Sequence, residues 1–164
     1  MRRFGLIFGV LLAGAVVFVF TSMAGLPAVV ASHFDGRGVP NGFMPRQAYG
    51  LFMAVFTIGI PLFMVFAIGG LPRLFPNWVN IPNRAYWLAP ERRGEAMDFL
   101  GRQAFQLGSM MLLFLCGVHW LVLRANARTP PRLAPGPIII MTAAFFVFMA
   151  FWLITMLRRF KKIP

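Results

Sequence analysis

Two histidines and one acidic residue are the side chains whose types and positions best suit ligand chemistry. His33 lies two residues before Asp35, in a segment between two long apolar runs, and His119 lies near the end of a third run. Neutral imidazole and carboxylate groups bind divalent metals, and they also hydrogen-bond polar ligands. The alternative is two histidines that hydrogen-bond backbone and water and only fix the fold. We predict a ligand-binding site at His33, Asp35 and His119, without a resident metal or other cofactor.

The single cysteine, Cys116, precedes His119 by three residues, so the two side chains can share a helix face. A redox or haem-binding role is one interpretation. We favour the other, a small apolar residue in a core, because an isolated buried cysteine usually packs in that way. No catalytic constellation stands out elsewhere, so the sequence predicts a protein that is not an enzyme. A metal-dependent membrane enzyme built on His33 and His119 is the less favoured alternative.

The positions of these residues depend on four apolar runs that contain no Lys, Arg, Asp or Glu. Each run exceeds the roughly 18 residues that mark a candidate transmembrane helix. The runs are Phe4–Leu26, Tyr49–Leu71, Ala104–Leu123 and Pro137–Leu157. The sequence therefore predicts an all-α integral membrane bundle of four transmembrane helices, with residues 1–164 as a single membrane domain. Because His119 is the one ionisable acid or base in the runs, an ion-coupled transporter is disfavoured.

The net charge of +12 comes from basic residues at the ends of the runs. This distribution argues against nucleic-acid binding and fits the cationic flanks that orient membrane proteins. Eleven of the 16 basic residues lie on the side of both termini and the second loop. The positive-inside rule places that side in the cytoplasm, where the same residues would attract anionic lipid. Loops one and three then face outward, and so do His33 and His119.

The first run also has features of a secretory signal peptide. Arg2 and Arg3 precede it, and Ser22-Met23-Ala24 has small residues at cleavage spacing. A signal peptide usually has an apolar region of about 7–15 residues, and this run is longer. We therefore expect a retained transmembrane helix.

Turn residues and prolines shape the chain between and within the runs. In the first loop, Asp35-Gly36 and Asn41-Gly42 predict tight turns and a compact outer loop. In the second run, Pro61 predicts a kink, and the Thr57 hydroxyl or a neighbouring helix could compensate for the lost backbone hydrogen bond. In the second loop, Pro90 suits the first position of an interfacial helix that continues into helix three.

Two sets of residues carry a family resemblance. The first set is Leu26-Pro27, His33-Phe34-Asp35, Gly38, Pro40 and Gly42. The second set is Ile81-Pro82-Asn83, Tyr86-Trp87, Pro90-Glu91-Arg92-Arg93, His119-Trp120 and Asn126. Together they resemble the bacterial DUF1648 membrane domain, which is shared with the SdpI family of toxin-immunity proteins, over roughly residues 20–126. The chain departs from the family at Asn41, where Asp is usual, and at Ala85, where an acidic residue is common.

The resemblance implies a non-enzymatic, multi-pass protein of the bacterial inner membrane. SdpI-like proteins protect against a secreted peptide toxin and can relay its presence to a cytoplasmic repressor. An extracytoplasmic ligand or peptide would then meet the outer loop. The implied ligand-binding residues are His33, Asp35, Gly38, Pro40, Asn41 and His119.

The second loop would meet a partner, which is a cytoplasmic repressor, another membrane protein or a second copy of the chain. The implied partner-binding residues are Asn83, Tyr86, Trp87, Glu91, Arg92 and Arg93. Helix capping and contact with lipid headgroups are an alternative role for the charged residues in this set. The alternative for the whole chain is a structural or accessory subunit of a larger membrane protein complex.

Overall fold

Four long helices form the apolar part of the chain. A computed structural model describes residues 1–163, and within them these helices are α1 (Arg2–Ser22), α2 (Arg46–Leu74), α3 (Pro90–Asn126) and α4 (Pro135–Lys161). Each is long and apolar enough to cross a bilayer, which confirms the predicted all-α membrane bundle. The helix predicted to begin at Pro90 is also confirmed, and it continues without a break through the third span.

Helix α3 is the central element, because α1, α2 and α4 all pack against it. Small residues bring α2 close to α3. A Cβ at Gly108 would lie only 2.7 Å from the Val65 side chain and 3.3 Å from the Pro61 carbonyl oxygen. Contacts of this kind hold membrane helices together where the hydrophobic effect cannot. By contrast, no residue in the most apolar window of α4 is buried, so α4 is a peripheral helix.

Helix α2 departs from regular α-helical geometry on both sides of Pro61. Its backbone forms π-helical turns at Val55–Gly59 and Phe66–Gly70. Proline lacks the N–H that a regular helix uses, and a π turn is one way to absorb the missing bond. The expectation that the Thr57 hydroxyl relieves the freed backbone is wrong. Its Oγ1 is buried and has no hydrogen-bond partner among the described residues.

The loop between α1 and α2 folds as a β-hairpin. Strand β1 (Val29–Phe34) pairs antiparallel with strand β2 (Pro40–Pro45), and a register irregularity bends β1 before its end. The predicted turn at Asp35-Gly36 is confirmed, because the Gly38 N–H donates to the Asp35 carbonyl oxygen across it. The predicted turn at Asn41-Gly42 is wrong, since both residues lie in β2. Pairing with β1 overrides the local turn preference of that dipeptide.

Buried side chains form clusters at opposite ends of α3. One cluster, which includes Val19, Val30 and Val122, lies beneath the hairpin. The other includes Trp87 and Phe160 and lies near the C-terminus. We call the end of the bundle with the first cluster the hairpin end, and it includes residues 127–134. The opposite end is the terminal end, which includes the start of α1, the end of α4 and residues 75–89. The cytoplasmic placement of the terminal end stays a prediction from charge.

Candidate functional site

His119 joins three helices at the hairpin end. Its side chain is fully buried, and its ring lies edge-on to Phe18 of α1. The Nε2 atom lies 2.8 Å from the Ser22 hydroxyl of α1, and the Nδ1 atom lies 2.8 Å from the Tyr49 hydroxyl of α2. Both ring nitrogens are therefore occupied by side chains of this protein.

The donors and acceptors of this cluster fit one arrangement of protons. The Ser22 hydroxyl also lies 3.2 Å from the Val19 carbonyl oxygen, which can only accept. Ser22 therefore donates to Val19 and accepts from the Nε2–H of His119, and Tyr49 donates to Nδ1. Every polar atom in this series is satisfied when the imidazole is neutral. A buried network of this kind costs little only when it is complete, so it fixes the three helices in one arrangement.

Asn126, the last residue of α3, attaches the hairpin to the bundle. Its Oδ1 accepts a hydrogen bond from the Ala31 N–H at 2.9 Å, and its Nδ2 donates to the Ala31 carbonyl oxygen at 2.9 Å. The same Nδ2 donates to the Val122 carbonyl oxygen one turn earlier in α3. A primary amide offers the same donor and acceptor pair as a peptide group. Asn126 thus occupies the place that a neighbouring strand would take beside β1.

Two further contacts hold the hairpin. The Arg46 guanidinium donates to the Leu26 carbonyl oxygen at 3.0 Å, across the base of the hairpin. At the turn, the Leu133 N–H donates to the Gly38 carbonyl oxygen at 3.0 Å. Gly38 has φ +78°, and a Cβ at this position would overlap the Leu133 carbonyl oxygen. Gly38 is therefore required for the turn and for its contact with the α3–α4 loop.

Asp35 stabilises the turn with its carboxylate. One oxygen, Oδ1, accepts hydrogen bonds from the backbone N–H groups of Arg37 at 2.9 Å and Val39 at 2.8 Å. The hydrogen bond from Val39 is the main reason why the pKa of Asp35 lies below its usual value, and the Arg37 bond and charge act in the same direction. Pro40 follows at the first residue of β2, where a strand tolerates proline.

The outer part of the hairpin leaves polar and apolar side chains in contact with solvent or headgroups. His33 Nδ1 and Asn41 Oδ1 lie 2.5 Å apart, so the ring donates to the amide oxygen. The amide oxygen of Asn41 thus makes a hydrogen bond that an Asp carboxylate could also accept. Val39 and Phe43 are 47% and 58% exposed although both are apolar. We call His33, Arg37, Val39, Asn41 and Phe43 the hairpin surface.

The structure divides the predicted ligand residues into two groups. His33, Asp35, Gly38, Pro40 and Asn41 lie together in the hairpin. His119 does not join them, because it is buried and both of its ring nitrogens are engaged. The prediction of a shared site for His33, Asp35 and His119 is therefore wrong. Among residues 1–163, no three His, Cys, Asp or Glu side chains cluster in a way that could hold a metal ion.

At the terminal end, two predicted partner residues bind α4 instead of facing outward. The Trp87 indole N–H donates to the Phe160 carbonyl oxygen at 3.0 Å, and the Asn83 amide donates to the carbonyl oxygens of Phe160 and Lys161. These bonds satisfy carbonyl groups that the end of a helix leaves unpaired. Asn83 has the left-handed φ of +53°, which asparagine tolerates better than most residues.

The remaining partner residues lie at the surface near the start of α3. The Arg92 guanidinium lies over the Tyr86 ring, 4.1 Å from its centre, and Glu91 and Arg93 are exposed. The buried Trp87 cannot contribute to a docking surface in this arrangement. Partner binding by Tyr86, Glu91, Arg92 and Arg93 stays a prediction.

The region from the middle of α1 to the middle of α2 matches a protein-family model. Residues 9–59 match the model described as "Domain of unknown function (DUF1648)". Residues 9–59 are therefore similar to a DUF1648 domain. This matched region contains Ser22, the complete hairpin and Tyr49. The match ends at Gly59, so the family likeness of the second loop, His119 and Asn126 stays a prediction.

The other comparisons add no relatives of known function. No curated protein and no solved structure matches the chain.

Sequence reasoning missed Ser22 and Tyr49, the two partners of His119. The sequence marks Ser22 only as part of a possible cleavage site, and Tyr49 only as the first residue of an apolar run. A usable signal was present for both. A buried hydroxyl near the end of a membrane helix needs a hydrogen-bond partner. His119 lies near the end of another helix on the same side, and its two ring nitrogens need two such partners.

Proposed function

We propose that this protein is a non-enzymatic membrane receptor of the sensor or immunity type, with the hairpin surface as its ligand-recognition site. The observation that carries the proposal is how firmly the hairpin is held. Asn126 and Leu133 bind its backbone, and the Arg46 guanidinium closes its base by donating to the Leu26 carbonyl oxygen. Its outer residues nevertheless remain exposed, including two large apolar ones. A surface fixed before binding loses less conformational entropy when a ligand arrives.

The composition of this surface indicates the class of ligand. Exposed apolar side chains beside a histidine and an asparagine suit a partly apolar peptide that offers hydrogen-bonding groups. The hairpin end carries five arginines, Arg37, Arg46, Arg124, Arg128 and Arg132, and Asp35 is its one carboxylate among the described residues. A strongly cationic peptide would be repelled, so a neutral or acidic apolar peptide is favoured.

The terminal end would pass the signal of ligand binding to a partner protein. Tyr86, Glu91, Arg92 and Arg93 lie at the start of α3, and Asn126 at the other end of the same helix binds the hairpin. A ligand bound to the hairpin would therefore act through Asn126 on the helix that carries the exposed charged residues. A cytoplasmic repressor or a membrane-protein partner is the expected receiver.

A protection assay tests the proposal. Sensitive bacteria with and without the protein would be exposed to membrane-active peptides that are neutral, acidic or cationic. We expect the protein to raise the inhibitory concentration of at least one neutral or acidic peptide. The double variant His33→Ala/Phe43→Ser should remove this protection at an unchanged membrane level. Trp78→Ser, which changes a 78% exposed aromatic residue at the terminal end, serves as the matched control and should retain it. Protection from none of the peptides, or equal protection by both variants, would overturn the proposal.

A second candidate, an accessory subunit of a membrane complex, is favoured by α4. Its outward side carries large exposed residues at helical spacing, among them Ile140 at 71%, Phe146 at 66% and Val147 at 71%. A partner helix could cover this stripe, although lipid covers apolar surface equally well. Purification in mild detergent separates the candidates. One reproducible membrane-protein partner that is lost in Val147→Trp would support the subunit role, and monodisperse particles of monomer size would count against it.

A further inference from the structure

A groove lies between α1 and α4 in the half of the bundle near the terminal end. Its volume is about 410 Å³, and α3 forms its floor. Phe4 and Ile7 of α1 form one wall, and Phe148 and Trp152 of α4 form the other. The volume lies within the range of about 300–1,000 Å³ that is typical of small-molecule sites. The groove exists because α4 packs chiefly against α3 and leaves a gap beside α1.

The floor of the groove carries polar side chains that have no partner. Gln103 is only 7% exposed, and its side-chain amide makes no hydrogen bond with any described residue. Gln106 and Ser109 line the groove farther along α3, and their side chains likewise make no hydrogen bonds within residues 1–163. An unpaired amide in an apolar setting is costly unless a ligand supplies the missing bonds. The groove therefore suits an occupant with a long apolar part and hydrogen-bond acceptors near one end.

Arginines mark the end of the groove at which an anionic group would lie. Each of the three helices that line it places one arginine about a turn beyond a lining residue: Arg3 before Ile7, Arg102 before Gln106, and Arg158 after Thr155. All three arginines lie toward the terminal end. None of them takes part in an ion pair among the described residues. Along a glycerophospholipid, the acyl chain is followed by the ester oxygens and then by the phosphate. The groove has the matching order, with the apolar walls first, then Gln103 and then the arginines.

We propose that the groove between α1 and α4 is a binding site for an anionic glycerophospholipid. One acyl chain lies between the walls and passes Ser109 and Met110. The ester oxygens accept hydrogen bonds from the Gln103 amide, and the phosphate lies among Arg3, Arg102 and Arg158. The lipid fills the gap beside α4 and holds that helix in place. This site is separate from the hairpin surface, so its failure would leave the receptor proposal unaffected.

Trp152 provides a direct test, because it lines the groove. The protein would be placed in phosphatidylcholine nanodiscs that contain a small fraction of phosphatidylglycerol or phosphatidylcholine with brominated acyl chains. Bromine quenches nearby indole fluorescence, and the difference between wild type and Trp152→Phe isolates the Trp152 signal. We expect half-maximal quenching at roughly a hundredfold less brominated phosphatidylglycerol than brominated phosphatidylcholine, since each of the three nearby arginines contributes roughly a fivefold factor.

The triple variant Arg3→Gln/Arg102→Gln/Arg158→Gln should lose this preference. The matched control Arg124→Gln/Arg128→Gln/Arg132→Gln, which removes three arginines at the hairpin end, should keep it. Native mass spectrometry of unsubstituted protein gives a second measurement, in which one phosphatidylglycerol molecule should stay bound. Equal quenching by the two lipids, or a preference that survives the first triple variant, would overturn the proposal. So would a Trp152 that neither lipid quenches, because a protein segment would then occupy the groove.

Discussion

The side-chain amide of Asn126 pairs with both backbone polar groups of Ala31, each at 2.9 Å. A residue at the end of the central helix thereby completes the hydrogen bonding of an otherwise unpaired strand edge. Exposed strand edges are prone to pair with other chains, and this amide covers one. This contact links the helical bundle, whose helices the membrane requires, to the hairpin, which we propose as the site of ligand recognition.

Replacing Asn126 tests how far the hairpin depends on this pairing. Asn126→Leu should destabilise the hairpin by about 1–3 kcal/mol, because the buried N–H and carbonyl group of Ala31 would lose their partners. Hydrogen exchange of the residue 29–45 amides, followed by mass spectrometry, measures the effect. Asn80→Leu makes the same chemical change at an exposed position that makes no side-chain hydrogen bond among the described residues, and it should leave the exchange rates unchanged. Equal exchange rates in Asn126→Leu and wild type would disprove the anchoring role.

Tyr49→Phe tests the His119 network. The substitution removes the hydroxyl that donates to Nδ1 and keeps the buried ring, so we expect a loss of about 1–2 kcal/mol of stability. Thermal unfolding in detergent, followed by size-exclusion chromatography, measures it. Tyr86→Phe removes a hydroxyl with no hydrogen bond among the described residues and should change the unfolding temperature little. If both variants unfold at the same temperature, the hydrogen bond between Tyr49 and His119 does not stabilise the bundle.

Gly38→Ala tests the turn of the hairpin. The left-handed φ of Gly38 costs a non-glycine residue roughly 1–2 kcal/mol, and the new Cβ would also overlap the Leu133 carbonyl oxygen. Limited proteolysis should therefore cleave the hairpin faster. Gly36→Ala is a close control, because Gly36 lies in the same turn with no atom within 4 Å of an added Cβ. A hairpin that resists protease equally in both variants would show that the contact with Leu133 is dispensable.

The lowered pKa of Asp35 predicts how the stability of the hairpin turn depends on pH. Because the folded-state pKa of Asp35 is lowered, its carboxylate contributes stability that is complete above the unfolded pKa of about 3.9 and is lost as the pH falls through the folded value. Protection of the Arg37 and Val39 amides, corrected for intrinsic exchange, should therefore decline below about pH 4. Asp35→Asn retains an oxygen acceptor that does not titrate in this range, so its protection should not show this decline. Identical pH profiles for the two proteins would contradict the role of the carboxylate.

The sequence was sufficient for the parts of the structure that the bilayer imposes. Runs such as Ala104–Leu123 must be helical in a membrane, since hydrocarbon offers no partner for backbone groups. The start of α3 at Pro90 also followed from local rules, because proline fits the first turn of a helix.

The parts of the structure that the sequence did not predict depend on contacts between residues far apart in the chain. The strand position of Asn41-Gly42 results from pairing with β1, which local turn preference cannot anticipate. The separation of His33 from His119 depends on how deeply each lies. The sequence places both histidines at the same end of the bundle. It does not indicate that the Ser22 and Tyr49 hydroxyls hydrogen-bond both ring nitrogens of His119. Trp87 similarly suits an interfacial belt by composition, yet it is buried against the end of α4.

Site-specific photocrosslinking in living cells tests most directly whether the hairpin surface meets the ligand. A photoreactive residue would replace Phe43 or, as the control, Trp78, which are 58% and 78% exposed at opposite ends of the bundle. The cells would be treated with the peptide against which the protein protects best. We predict a crosslinked product from position 43 that excess unlabelled peptide abolishes, and none from position 78. No product from position 43, or equal products from the two positions, would contradict recognition by the hairpin.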